Sequence, residues 1–107
     1  MKLLTKELIE RFKQQGDTSR KEAKDIKVIA KFFNPCGAGT WFATDYDEKN
    51  QIFFGYANLG DDRFAELGSF GLKELQEYRS PFMTGIERDL HFGEHTLQEV
   101  LDTKGHL

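Results

Sequence analysis

The stretch TWFATDYDEKNQIFFGYANLGDDRFAELGSF, Thr40 to Phe70, decides the fold. It holds three aromatic-rich runs, Thr40–Tyr46, Ile52–Leu59 and Phe64–Phe70, separated by the polar tetrapeptides DEKN and GDDR. Such runs read as strands, and short polar breaks between them suit antiparallel hairpins. With both turns closed tightly, Tyr46 pairs with Gln51 and Leu59 with Phe64. That register lays Trp41, Tyr56 and Leu67 in one row, with Ala43, Phe54 and Ser69 beside them. The opposite face carries Phe42, Gly55 and Gly68, then Thr44, Phe53 and Phe70. Both faces are apolar, so each is covered by helix or loop, or serves as a working surface. Gly55 and Gly68 beside Phe42 leave a shallow trough, to be filled by the Phe42 ring, by the protein's own backbone or by a flat ligand.

Upstream, Leu4, Leu8 and Phe12 recur every four residues with Ile9 beside them, one apolar face of a helix that Thr5 caps and Gly16 ends. Residues 17–25 lack periodicity and read as a polar connection. Ile26 to Phe33 alternates, with Ile26, Val28, Ala30 and Phe32 on one side, and predicts a strand. Asn34-Pro35-Cys36-Gly37-Ala38-Gly39 then turns the chain into the strand that contains Trp41.

Downstream, Gly71 opens a helix through Leu75 to Tyr78, and Ser80-Pro81 ends it. GIERDLHF, residues 85–92, alternates as a fifth strand or extended segment, with Arg88 on its apolar side. Thr96-Leu97-Gln98-Glu99 is a capping-box pattern for a last short helix. The expected architecture is α+β: an antiparallel sheet of four to five strands, an N-terminal helix and two short helices packed against it. One domain spans 1–107, with the helix at 1–16, the connection at 17–25, the sheet body at 26–92 and the last helix at 95–103.

The net charge of −3 conceals an asymmetry. Residues 1–31 carry nine Lys and Arg against five Asp and Glu, whereas residues 32–107 carry six against thirteen. All aromatics except Phe12 lie between Phe32 and Phe92. Acids alternate with the bases of the first third, which describes a solvated helix face better than a nucleic-acid footprint. The lone Cys36 allows no internal disulfide and fits a reducing cytoplasm. No apolar run reaches a membrane span, and the charged start of the chain does not read as a signal peptide.

Most chemical motifs fail on inspection. Gly37 and Gly39 follow a strand, but no lysine or helix follows them, so the loop is not a phosphate cradle. His91-Phe92-Gly93-Glu94-His95 spells a zinc pattern that works only on a helix, which Gly93 breaks. Glu87, Asp89 and His91 share one side of an extended segment and read as its solvent face. Asp45-Tyr46-Asp47 starts like a calcium loop, but Lys49 and Asn50 break the pattern. No cofactor or metal is expected. Arg88 is the odd residue: an arginine on an apolar side calls for a carboxylate partner within the domain or a ligand anion.

The blocks FFNPCGAGTWFATDYD, IFFGYANLGDDRFAELGSFGLKEL and GIERDLHF resemble those of a bacterial family catalogued as domain of unknown function 2958. The likeness runs from Lys31 to Phe92, with the N-terminal helix in its usual place; Gly71 departs from the small polar helix cap expected there. The resemblance implies an accessory protein of plasmids and mobile elements, and it transfers no catalytic residue.

Two readings follow. The first is a non-enzymatic module whose aromatic sheet face, or trough at Gly55 and Gly68, binds a protein partner, with Trp41, Phe42 and Tyr56 as candidate contacts. The second is a small ligand-binding or hydrolytic domain in which Cys36, Arg88 and His91 converge on the Pro35–Trp41 loop. Convergence of those three side chains in one pocket distinguishes them.

Overall fold

A computed structural model describes residues 1–107. Helix α1 spans Lys6–Gln15, and strands β1 to β4 span Ala30–Phe33, Thr40–Asp47, Ile52–Asn58 and Glu66–Gly71. Helix α2 (Leu72–Glu77), strand β5 (Glu87–Arg88) and helix α3 (Leu97–Thr103) complete the chain. The strands form one antiparallel sheet in the order β4-β3-β2-β1-β5. The α+β architecture expected from the sequence is the architecture found.

Each face of the sheet is buried by its own cluster. On one, Leu8 and Phe12 of α1 pack with Phe32, Ala43, Phe53, Leu72 and Leu75. On the other, α3 brings Leu97 and Val100 onto Ile26, Val28, Phe42 and Tyr56. Burying a side chain such as Phe12 or Val100 contributes about 2 kcal/mol. The helix ends follow local chemistry. Thr5 Oγ1 accepts from the Leu8 N–H at 3.2 Å, and Gly16, at φ 70°, donates its N–H back to Phe12. At α3 both halves of the capping box form: the Glu99 N–H donates to Thr96 Oγ1, and the Thr96 N–H to the Glu99 carboxylate.

The β3–β4 register is the expected one, with Tyr56 opposite Leu67 and Phe53 opposite Phe70. The β2–β3 register is not. The turn closes on Asp47 and Ile52, so Tyr46 faces Phe53, two residues beyond the expected Gln51, and a bulge at Thr44 shifts the ladder again. Because strand side chains alternate, the one-residue bulge exchanges the faces of residues 40–43. Trp41 and Ala43 therefore pack on the α1 side, and Phe42 joins Tyr56 on the α3 side.

The Ile26–Phe33 strand is also corrected. Only Ala30–Phe33 joins the ladder to β2. Ile26 and Val28 belong to the α3-side cluster and Ala30 and Phe32 to the α1 side, with Ile29 buried at the crossing. The β3–β4 connection exceeds a four-residue turn, because Asp61 caps a turn of 3-10 helix at Asp62–Phe64. The expected fifth strand contracts to Glu87–Arg88.

Candidate functional site

The β1–β2 loop is a strand connection. The Asn34 N–H donates to the Gly39 carbonyl at 3.0 Å, closing the hairpin. Gly39 sits at φ 130° over the Trp41 indole, where a β-carbon would stand 2.9 Å from the ring. Cys36 lies exposed on this loop, its N–H donated to Asn34 Oδ1. Trp41 is half-buried against the α1-side cluster.

Phe42 and Tyr56 are core residues, at 0% and 5% exposure. They belong to no surface, which corrects the picture of a binding face built on them. The trough beside Phe42 is filled by backbone at Gly55, where a β-carbon would meet the Phe42 carbonyl oxygen at 1.8 Å, and is open at Gly68. Burial pushes the Tyr56 phenol up, and the nearby Asp62 carboxylate adds to the rise.

Cys36, Arg88 and His91 do not converge. Strand β5 runs antiparallel to β1, with Glu87 opposite Phe33 and Arg88 opposite Phe32, so the chain beyond it recedes from the 34–39 loop. His91 is exposed, its N–H capped by Asp89 Oδ1 at 2.9 Å. Arg88 is half-buried and forms no ion pair with any carboxylate, so the expected partner within the domain is absent. No group of three His, Cys, Asp or Glu side chains is placed to hold a metal ion.

The largest apolar concavity lies on the α3 side, and sequence reasoning missed it. Tyr56 is covered by α3, but Phe54 and Leu67 on the same face extend past the short helix and remain 40% and 45% exposed. Together with Ala23, Leu97 and Leu101 they wall a groove of about 610 Å³. One rim is residues 17–21, fixed by Asp45: its carboxylate accepts from the Thr18 N–H (3.0 Å), Thr18 Oγ1 (2.6 Å) and Thr44 Oγ1 (2.7 Å). The groove opens toward β4, whose outer edge pairs with no other strand. An apolar concavity with a free edge strand is suited to apolar contact and backbone pairing.

Residues 3–104 match the family described as "Protein of unknown function (DUF2958)". The chain belongs to that family. No curated protein matches it, and no solved structure does. For this DUF2958 member the site therefore rests on geometry. Its sequence signal was the placement of Phe54 and Leu67 on one face; the reach of α3, which leaves them open, is a tertiary property.

Proposed function

We propose that this DUF2958 protein is a non-enzymatic protein-interaction module, taking an extended apolar segment of a partner along β4 and into the Phe54–Leu67 groove. The observation that carries this reading is the exposure of both side chains inside a concavity beside an unpaired strand edge. Pairing with an edge gives affinity through main-chain hydrogen bonds, and pockets for alternate side chains give specificity. Strand β4 carries a single charge, Glu66, so little on it discourages such pairing. A cytoplasmic setting is part of the proposal and is supported by the exposed free thiol of Cys36. A role for the module in a mobile element rests on the family resemblance alone.

The test is affinity capture from the host cell with tagged wild-type protein and two variants. Leu67→Asp should lose the captured partner, and Phe82→Asp, at an exposed residue remote from the groove, should keep it. Equal capture by both variants overturns the proposal.

A further inference from the structure

We propose that the partner segment adds to β4 as an antiparallel strand with the pattern apolar–aromatic–apolar–basic, a pattern that rests on the groove reading above. Its aromatic ring lies over Gly68 and its base stands opposite Glu66. The hydrogen-bond phase of the β3–β4 ladder fixes which groups of β4 are free. The Leu72 N–H donates to the Gln51 carbonyl at 3.0 Å. Stepping by two along the register, Phe70 bonds Phe53, Gly68 bonds Gly55 and Glu66 bonds Ala57. The Phe54 carbonyl agrees with this phase, because it faces β2, where it accepts from Thr44 Oγ1 at 3.2 Å. The N–H and C=O groups of Leu67 and Ser69 therefore point outward, away from β3.

An antiparallel strand laid on this edge bonds to Leu67 and Ser69 and sets its intervening residue opposite Gly68. The residues opposite Leu67 and Ser69 send their side chains to the groove face, where Phe54 and Leu67 make apolar residues the fitting choice. The pair at Gly68 is the close, non-hydrogen-bonded kind, with α-carbons about 4.5 Å apart. Gly68 brings no side chain to that pair, and a β-carbon added there has nothing within 4 Å. An aromatic ring from the neighbouring strand fills such a gap beside an edge glycine.

Glu66 sets the last position. It lies on the same side of β4 as Gly68, is exposed, and forms no ion pair. As the only charge on the strand, it is complemented by a lysine or arginine directly opposite. A second copy of this chain fits less well. Strand β4 paired with itself about Gly68 sets glycine against glycine and Glu66 against Phe70, which leaves the gap empty and the carboxylate unanswered.

The probe is the peptide Thr-Val-Phe-Val-Lys-Thr, followed by ¹H–¹⁵N spectra of the full chain. The expected result is a saturable shift of the Leu67 and Ser69 amides, with a dissociation constant on the order of 100 μM. Alanine in place of the peptide's phenylalanine should weaken binding by about tenfold. Gly68→Val fills the gap from the protein's side. It should fold, because the added atoms meet open space, and bind the phenylalanine and alanine peptides alike. Glu66→Lys should weaken the lysine peptide by roughly threefold and recover that loss with a glutamate peptide. Shifts at Leu67 and Ser69 with equal wild-type affinity for the phenylalanine and alanine peptides overturn the pattern and leave the groove reading standing. No saturable shift at either amide overturns both.

Discussion

Gly55 and Phe42 approach so closely that a β-carbon on Gly55 would stand 1.8 Å from the Phe42 carbonyl oxygen and 2.8 Å from its carbonyl carbon. The obstacle is backbone, which cannot swing aside as a side chain does. Gly55→Ala must therefore push β2 and β3 apart next to the bulge, at a cost of about 3 kcal/mol. Gly68, directly across on β4, has nothing within 4 Å of the same added atom. Gly68→Ala should be neutral or stabilise by about 0.5 kcal/mol, by restricting the unfolded chain. Urea denaturation of the two variants checks the contrast.

Asp45 holds the 17–25 segment to the sheet. Replacing it with Ala strands the N–H and hydroxyl of buried Thr18, whereas the Thr44 hydroxyl keeps the Phe54 carbonyl as an acceptor at 3.2 Å. The expected loss is about 2–3 kcal/mol, together with faster hydrogen exchange at the Thr18 amide. An unchanged exchange rate would mean the segment is held by something else.

Asp17, Asp47, Asp61, Asp62 and Glu99 all titrate below their ordinary values of 3.8 and 4.5. The leading causes are a backbone hydrogen bond from Ser19 to Asp17, side-chain hydrogen bonds from Asn50 to Asp47, Arg63 to Asp61 and Asn58 to Asp62, and the His95 contact with Glu99. A carboxyl whose folded pKa is depressed contributes stability that is present above its ordinary pKa and lost as pH falls through the folded value. Thermal midpoints should thus fall as pH drops through and below about 4. Asp62→Asn should lower the neutral-pH midpoint and shrink the acid decline.

Cys36→Ser should change stability by less than about 0.5 kcal/mol, because the side chain is exposed and the loop is held by Asn34. Partner capture should also survive it. Loss of capture in this variant alone would return attention to the 34–39 loop.

Strands β2 to β4, both helix caps and the β3–β4 register were legible in the sequence because each rests on local signals: alternation, Thr5 and Thr96 at N-caps, Gly16 at a C-cap. The β2–β3 register was not. Thr44 bulges because its hydroxyl bonds the Asp45 carboxylate while that carboxylate reaches Thr18, and no periodicity announces a contact spanning 27 residues. Phe42 and Tyr56 were legible as large aromatics on strands but neither as a pair nor as core, since their pairing depends on the bulge and their burial on where α3 lands. The same docking distance exposes Phe54 and Leu67. Arg88 was legible as out of place, and the structure sharpens that reading by leaving its Nε without a partner.

Photo-cross-linking from the groove tests the central claim most directly. A benzophenone side chain replaces Leu67 in one protein and exposed Glu10 of α1 in another, and both are irradiated in the host cell. The account predicts one discrete adduct from position 67, absent from position 10 and lost when Phe54→Asp is added. Equal labelling from both positions, no adduct from position 67, or an adduct of only twice the 12.4 kDa chain mass would contradict it.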